Sequence, residues 1–253
     1  MTSIPLVYQG QSLEVRSRNN PANKMFATVA QAGSTNLVLN VTSVAGSGTF
    51  ADWSIMALYR IIVAPKATGE TSAIYKTSID AAPAACITLS EGRKATLAMV
   101  AAGNSTVYPA AHFCNNLNIA SRTDWYMPAR DELELIWRNL KPVSGSNYTG
   151  ADRQNAVDYK NLGSPGDTSV NTGTNVNTAP VGAAYTASAP AQVAAGKNFR
   201  TGETEALSAS TTYWSSSEYQ SANAWYMQTS DGRQYANAKN GSMPVRAVRR
   251  SII

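Results

Sequence analysis

The sequence predicts an α+β protein, with a β-rich module in residues 1–103 and a second domain in residues 104–253. Three observations support this fold class. The first part contains short apolar runs and alternations separated by Gly/Ser turns. The middle of the chain has two segments with apolar residues at helical spacing. Residues 213–250 alternate like antiparallel strands between turn signals.

The composition favours a globular protein with a largely uncharged polar surface. Hydrophobic residues make up 43% of the 253 residues, which is enough for a buried core, whereas only 15% are charged. The net charge of +5 is spread along the chain with no Lys/Arg block before the C-terminus, and no nucleic-acid-binding motif accompanies it. We therefore expect no nucleic-acid partner.

The N-terminus and the hydropathy indicate a protein made in the cytoplasm. Residues 1–10 lack the basic and apolar regions of a signal peptide. No apolar run approaches the about 20 residues that span a bilayer, so we expect no membrane insertion. Cys86 and Cys114 form neither a disulfide framework nor a metal-ligand spacing, and a single bridge between them is left open.

Several strands are predicted in the β-rich module, which we interpret as a small β-sandwich or a similar fold. Leu37, Leu39 and Val41 alternate with their neighbours before a turn-forming cluster at residues 45–48. The other predicted strands are Trp53–Val63, buried on both faces, and Ala85–Leu89 and Ala95–Val100, joined by a turn at Glu91–Arg93.

Two helices are predicted after the module, each starting at a proline suited to the first helical position. The first starts at Pro109 and the second at Pro128, where Asp131 and Glu132 favour the first turn through the helix dipole. Glu134 and Arg138 are spaced as a supporting ion pair. The predicted buried stripes are Ala110, Phe113, Cys114 and Leu117 in the first helix, and Leu133, Ile136, Trp137 and Leu140 in the second.

The remainder is predicted to be an insert followed by the terminal strands. Residues 144–212 are rich in Ser, Thr, Asn, Gly and Ala and have weak periodicity, and the segment is too long for an ordinary loop. Turns between the strands that follow are predicted near Ser221–Asn223, Asp231–Gly232 and Asn240–Gly241.

The sequence carries no pattern typical of a catalytic or cofactor site, and we expect no enzyme activity, no cofactor and no metal. His112 is the only histidine, and its position off the apolar stripe predicts solvent exposure rather than activation of a nucleophile. Metalloprotease, hydrolase and nucleotide-binding motifs are absent. A Ca²⁺ site stays open as an alternative, because oxygen ligands leave little trace in a sequence.

The terminal strands carry the candidate binding face. Trp125, Trp137, Trp214 and Trp225 are interpreted as core residues. After Asn223, the alternation places Trp225, Met227 and Thr229 inward and Ala224, Tyr226, Gln228 and Ser230 outward. Tyrosine supplies broad contact area and Asn, Gln and Ser supply hydrogen bonds. The candidate ligand-binding residues are Glu218, Tyr219, Gln220, Asn223, Tyr226, Gln228, Arg233, Gln234, Tyr235, Asn237 and Lys239. A merely solvated sheet edge is the alternative.

A series of short motifs follows one order over roughly residues 106–250. They are Ala111–Leu117, Asp124–Leu133, Tyr213–Ser216, Ala224–Trp225, Ser230–Gly232, Lys239 and Val245–Arg249. This series resembles the C-terminal domain of Lcl-type collagen-like adhesins. The resemblance implies a C-type-lectin-like fold, in which two helices pack on a twisted antiparallel sheet, related to formylglycine-generating enzymes and to the variable proteins of diversity-generating retroelements.

The chain departs from the family pattern at the cysteines. Ala247 stands where many members have cysteine, so a disulfide to Cys114 is not available, and no cysteine of the enzyme branch follows Cys114. The triplets of the Ca-dependent sugar-binding branch are also absent. The resemblance places Arg246, Arg249 and Arg250 on the final strand, where we expect pairing with carboxylates of the domain, Glu132 or Glu134 among them.

The resemblance implies a non-enzymatic bacteriophage virion protein, because members without a signal peptide are often structural proteins of tailed phages. The N-terminal module would contact other virion proteins, and the lectin-like domain of a fibre, tail or capsid decoration would bind a host surface glycan or protein. We expect a homo-oligomer, and among the possible states we favour a trimer. The alternatives are a purely structural decoration or cementing protein, a bacterial adhesin-like surface protein, and a formylglycine-generating-type enzyme, which the missing cysteines oppose.

Overall fold

The computed structural model describes residues 9, 11–17, 19–20, 22–32, 37–49, 53–57, 59–140, 198–208, 211–230 and 234–252. Across these ranges the protein is a mixed α+β structure with several small sheets, as the sequence predicts. The strands are β1 (Ser12–Ser17), β2 (Lys24–Ala32), β3 (Leu37–Ala45), β4 (Trp53–Ala57), β5 (Tyr59–Val63), β6 (Glu70–Ile74), β7 (Thr212–Gln220), β8 (Asn223–Gln228), β9 (Gln234–Ala238), β10 (Ser242–Arg246) and β11 (Val248–Ile252). The helices are α1 (Lys66–Gly69), α2 (Gly92–Ala102), α3 (Pro109–Asn115) and α4 (Arg130–Leu140), with a 3-10 helix at Ala84–Ile87.

Contacts between residues divide the chain into two compact units. One is Met1–Arg60 together with Arg250–Ile253, and the other is Ile61–Arg249. The division predicted at residues 103 and 104 stays a prediction. Of the predicted insert at about 144–212, only residues 198–208 and 211–212 are described. In the described part of the chain, every helix is too short or too polar to cross a membrane.

The first unit contains a four-stranded antiparallel sheet in the order β3-β2-β1-β4. The strand predicted around Leu37 is confirmed as β3. After it, Gly46 and Gly48 have φ angles of 80° and 122°, a left-handed conformation that glycine adopts without a Cβ clash. The predicted turn is therefore confirmed.

The prediction of one strand over Trp53–Val63, buried on both faces, is wrong. The run forms two strands, β4 and β5, and its described side chains are only partly buried, with Arg60 exposed. Arg60 is exposed, and charged side chains are rarely buried, so at least one face of the run is open to solvent.

The strands predicted at Ala85–Leu89 and Ala95–Val100 are also wrong. The first is a 3-10 helix and the second lies in α2, which begins where the turn at Glu91–Arg93 is predicted. The buried residues Ala95, Thr96 and Met99 occupy one face of a helix. Ala, Leu, Met, Lys and Arg are strong helix formers, and they fill this segment.

Gly92 brings the start of α2 against the segment that precedes α4. A Cβ at this position would lie 2.4 Å from Glu132 Oε2 and 2.6 Å from Ala129 N. Thr96 Oγ1 donates to Gly92 O at 2.8 Å and accepts from Met127 N at 3.0 Å. The start of α2 therefore lies in close contact with the backbone of residues 127–129 and with the Glu132 side chain.

The two predicted helices are confirmed as α3 and α4. Pro109 occupies the first turn of α3. Helix α4 begins at Arg130, two residues after the predicted start at Pro128, with Asp131 and Glu132 in its first turn as predicted. Glu132 Oε2 accepts a hydrogen bond from Ala129 N at 2.9 Å, as the glutamate of a capping box does.

The apolar stripes of both helices are confirmed. Ala110 and Cys114 are buried in one core cluster, which Phe113 and Leu117 pack against, while Leu133, Ile136 and Trp137 are buried in a second cluster, which Leu140 packs against. The predicted pairing of Glu134 with Arg138 cannot be followed, because the Arg138 side chain lies outside the described residues.

The predicted terminal strands are confirmed. Strands β7, β8 and β9 form an antiparallel sheet in that order, while β10 pairs with β6 and β11 with β5. The turns near Ser221–Asn223 and Asn240–Gly241 are present, whereas Asp231–Gly232 lies outside the described residues.

Strand β7 is buried on both faces because it lies between the two core clusters. Trp214 belongs to the first cluster, with Tyr75 and Met99, and the preceding Tyr213 belongs to the second, with Trp137. Consecutive strand residues point to opposite faces. Every residue from Tyr213 to Glu218 is consequently buried.

Candidate functional site

The structure divides the candidate binding residues between the two faces of the β7-β8-β9 sheet. Tyr226 lies directly opposite Tyr235, so their side chains share one face. Met227 lies opposite Gln234, and this pair points to the other face. We call the side formed by Tyr226, Gln228, Tyr235 and Asn237 the tyrosine face.

The tyrosine face contains two aromatic rings held by the core. The ring centroids of Tyr226 and Tyr235 are 5.8 Å apart, with a tilt of 40°. Tyr226 also meets the fully buried Trp214 edge-on, at 6.3 Å and 83°. Both tyrosines are half-buried. Burial, with a smaller effect of Tyr235, raises the pKa of Tyr226, so its hydroxyl stays protonated at neutral pH.

The polar residues of the tyrosine face lie beside these rings. Gln228 is half-buried and its Nε2 donates to Ser230 Oγ at 2.9 Å. Asn237 is exposed, and its Oδ1 accepts a hydrogen bond from Ala238 N at 2.8 Å. The amide nitrogen of Asn237 takes no part in that bond. The face therefore offers aromatic surface and amide groups side by side.

Tyr219 belongs to the opposite side of the sheet. Its ring lies 4.9 Å from that of Trp225, whose side chain alternates with Tyr226. The Arg130 guanidinium lies 4.3 Å from the centre of the Trp225 ring. Near this stack, Gln220 is exposed and Asn223 is half-buried.

Glu218 and Lys239 are buried and form an ion pair, so they are not part of an exposed face. Lys239 is fully buried, and its Nζ donates to Glu218 Oε1 at 3.0 Å, Ser221 O at 2.7 Å and Asp80 O at 3.0 Å. Glu218 Oε2 accepts from Ala82 N at 3.1 Å. Burial lowers the pKa of Lys239, and the bond to Glu218 opposes this shift. The pair fastens residues 80–82 to the sheet.

A second lysine holds the same loop. Lys76 Nζ lies 2.9 Å from Asp80 Oδ1 and donates to Ala81 O at 2.7 Å. Hydrogen bonds from Ser78 and Lys76 lower the pKa of Asp80 to about 2. The contacts of Lys76 are local, whereas those of Lys239 and Glu218 with this loop join residues far apart in sequence, so no local pattern could reveal them.

Of the two remaining predicted site residues, one is buried and the other cannot be placed. Gln234 is 2% exposed and its Nε2 donates to Arg130 O at 2.7 Å, because α4 covers that side of β9. Arg233 lies outside the described residues. Ala224, predicted to point outward, is fully buried in the first core cluster, since this part of the sheet is covered on both sides.

Arg246 and Arg249 pair with carboxylates as expected, although not with Glu132 or Glu134. Arg246 ends β10 rather than lying on the final strand with Arg249 and Arg250. Arg246 Nη1 lies 3.2 Å from Glu70 Oε2, and its Nη2 pairs with Glu205. Arg249 Nη1 lies 3.4 Å from Asp124 Oδ2, while the Arg250 guanidinium lies over the Tyr59 ring at 4.1 Å. Arg246 thus fastens residues around 205 to the sheet.

The predicted core role of the tryptophans is confirmed. Trp125, Trp137, Trp214 and Trp225 are at most 8% exposed. Trp125, Trp214 and Trp225 lie in the motifs that carry the family resemblance. The Lcl C-terminal domain model matches residues 85–249, more than half of the chain.

The chain belongs to the Lcl C-terminal domain family. The Lcl domain starts at residue 85, earlier than the motifs around 106 indicate, and so includes α2. It contains every candidate ligand-binding residue. Neither the curated proteins nor the solved structures gave a match to the chain.

The two cysteines and the histidine of the Lcl domain are not exposed. Cys86 and Cys114 are free and buried; burial raises the pKa of Cys86 to about 11 and that of Cys114 further. The predicted exposure of His112 is wrong, since its half-buried ring places Nε2 2.7 Å from Gly103 O. Among the described residues, no cluster of His, Cys, Asp and Glu suits a metal ion.

Proposed function

We propose that this chain is a non-enzymatic bacteriophage virion protein whose Lcl domain has a C-type-lectin-like fold and binds a glycan or protein on the host surface. The observation that carries the proposal is the tyrosine face, where the half-buried ring pair of Tyr226 and Tyr235 lies beside the exposed Asn237. Membership of the Lcl family supports it.

The tyrosine face suits recognition because its rings are already ordered. Binding costs free energy when flexible side chains become fixed, and tyrosine has only two rotatable side-chain bonds. Trp214 supports Tyr226 from the core, which lowers that cost further. Gln228 and Asn237 beside the rings provide amide donors and acceptors for hydroxyl or peptide groups of a ligand.

The state of the thiols supports a binding role over a catalytic one. A cysteine reacts as the thiolate, and burial keeps both cysteines protonated at neutral pH. His112 lies against the backbone of Gly103, at the end of α2. These features oppose an enzyme of the formylglycine-generating type.

The fold proposal is supported by the packing of helices on the terminal sheet. Trp137 of α4 is buried against Tyr213 and Met227 of the sheet, and its Nε1 donates to Thr229 O at 2.9 Å. Ala110 and Cys114 of α3 share the other cluster with Trp214. Helices on both sides of a small antiparallel sheet are compatible with the lectin-like arrangement.

We further propose that the N-terminal part of the chain contacts other virion proteins. The protein would work as a homo-oligomer on the particle, and a trimer is the state that we favour. No contact with nucleic acid or insertion into a membrane is part of this function. A purely structural decoration protein is the second candidate. It is favoured by the burial of Glu218, Gln234 and Lys239, which leaves a smaller exposed face than the sequence predicts.

The particle assignment is tested by mass spectrometry of purified virions from cells that encode the sequence. The host-binding role is tested by adsorption of the full chain to host cells, with Tyr226→Ala and Tyr235→Ala variants. Each substitution is expected to weaken adsorption about 10-fold or more, as for tyrosines central to an interface. Tyr219→Ala is the matched control, because Tyr219 lies on the other side of the sheet.

Unchanged adsorption by folded Tyr226→Ala and Tyr235→Ala variants would leave only the structural decoration role. Loss of adsorption with Tyr219→Ala alone would move the site to the Trp225 side of the sheet. Absence of the protein from purified virions would refute the virion assignment.

A further inference from the structure

Strand β7 bulges in the middle of its pairing with β8. The register shifts between Trp214 and Glu218, so that Ser215–Ser217 lie opposite the single residue Trp225. We call these three residues the serine bulge, and all three are fully buried. A bulge interrupts the regular ladder of hydrogen bonds, so its buried polar groups need other partners.

The outer two serines of the serine bulge have partners in the protein. Ser215 Oγ donates to Trp225 O at 2.9 Å, and Ser217 Oγ donates to Thr88 O at 2.7 Å. Ser217 Oγ also accepts from Arg130 N at 3.1 Å. These hydroxyl groups therefore replace part of the interrupted ladder.

The central serine differs from its neighbours. Ser216 N donates to Pro128 O at 2.8 Å, and Ser216 O accepts from Tyr75 Oη at 2.9 Å. Its side chain, however, has no hydrogen-bond partner in the part of the chain that the structure describes, and the same is true of Trp214 Nε1. Both residues are fully buried. Tyr75 contacts both of them, since its ring centroid lies 5.9 Å from that of Trp214.

Buried polar side-chain atoms of this kind are uncommon, because the large majority bond to protein or to ordered water. A buried water typically makes about three hydrogen bonds to groups that lack other partners. Here it can accept from the indole N–H of Trp214 and donate to Ser216 Oγ. Tyr75 Oη, whose proton is donated to Ser216 O, can accept as the third partner.

We propose that ordered water is bound inside the first core cluster by Trp214 Nε1 and Ser216 Oγ, with Tyr75 Oη as a further partner. This water completes the hydrogen bonding of the serine bulge. It also fixes the Trp214 ring, which meets Tyr226 of the tyrosine face edge-on. The proposal does not depend on host binding.

A crystal structure of the full chain, at a resolution that shows ordered water, tests the site directly. Water oxygen is expected within about 2.7–3.2 Å of Trp214 Nε1 and of Ser216 Oγ. Absence of water from either atom overturns the proposal. So does an indole N–H of Trp214 that points at the face of the Tyr75 or Tyr226 ring, because the ring is then its acceptor.

Nuclear magnetic resonance of the full chain with labelled tryptophan gives a measurement in solution. The indole proton of Trp214, assigned with Trp214→Phe, is expected to receive magnetisation from bound water. Trp137 is the matched control, because it is also fully buried and its Nε1 donates to Thr229 O at 2.9 Å. No transfer to Trp214, or equal transfer to both indoles, overturns the proposal.

Urea denaturation of Ser216→Ala gives the third measurement. Loss of a hydrogen bond to bound water is expected to raise the equilibrium constant for unfolding about 5-fold. Ser217→Ala is the reference, since it loses two bonds to protein and should raise the constant further. A hydroxyl buried without any partner destabilises the folded state. An unchanged or smaller constant for Ser216→Ala therefore overturns the proposal.

Discussion

Replacing Lys239 by methionine separates a structural role of the buried ion pair from a ligand-binding role. In the wild type, Lys239 Nζ neutralises Glu218 and donates to Ser221 O and Asp80 O. Methionine fills similar space but has no ammonium group. Among these contacts, the Glu218 carboxylate then keeps only the hydrogen bond from the Ala82 N–H. Removing one member of a buried ion pair costs about 3–5 kcal/mol, because the other charge stays buried without compensation.

The free energy of unfolding is measured by urea denaturation with tryptophan fluorescence, which reports mainly on the second unit because Trp125, Trp137, Trp214 and Trp225 lie there. Lys239→Met is expected to lower it by about 3–5 kcal/mol. Adding Glu218→Gln is expected to restore about 1–3 kcal/mol, since a neutral amide costs less to bury. Lys94→Met, on the exposed surface of α2, is the control and should change it by no more than about 0.5 kcal/mol.

A loss below about 1 kcal/mol for Lys239→Met would refute the structural reasoning, since it falls within the range of an exposed pair. If adsorption to host cells disappeared while stability stayed intact, Lys239 would be a ligand contact after all. Lower stability with normal adsorption at low temperature would support the burial argument.

Two further predictions concern pH and backbone strain. Tyr213 donates to Glu70 Oε2 at 2.9 Å, and burial raises its pKa to about 12 from the usual 10.0. Between pH 10 and about 12, the folded state therefore keeps this proton while the unfolded chain loses it, so the free energy of unfolding should fall as the pH rises through this range. Tyr213→Phe should flatten that decline when the free energy of unfolding is measured by urea titration at each pH. Ser121 has a φ of 60°, a conformation that costs a non-glycine residue about 1–2 kcal/mol. Ser121→Gly should raise the melting temperature, whereas Ser105→Gly, with an ordinary φ, should lower it.

Helices α3 and α4 could be predicted because their signals are local. A proline in the first turn, acidic residues near the N-terminus and an apolar stripe lie within one short segment. Helix α2 was missed because a short Ala-rich run has apolar residues at nearly every position, which gives no clear period. The family match from residue 85 supports the corrected assignment of this segment to the Lcl domain.

The candidate site could be predicted only in part. Alternation along β8 and β9 placed Tyr226 on the solvent side, and Tyr235 lies opposite it. The same reasoning could not show that α4 covers Gln234, since that cover comes from a distant segment. The alternation along a strand shows which side chains share a face of the sheet, but not which other segments of the chain cover that face.

The sequence by itself determined the α+β class, the Lcl family, the buried tryptophans and the presence of the terminal strands, because each depends on local spacing or on motifs in one order. Only the tertiary structure decided which polar residues of those strands are exposed. Burial of Lys239 depends on the loop at Asp80, and its cost is offset by a carboxylate and two carbonyl oxygens that folding brings together. Such compensation has no local signature, so a buried lysine and a ligand-binding lysine look the same in sequence.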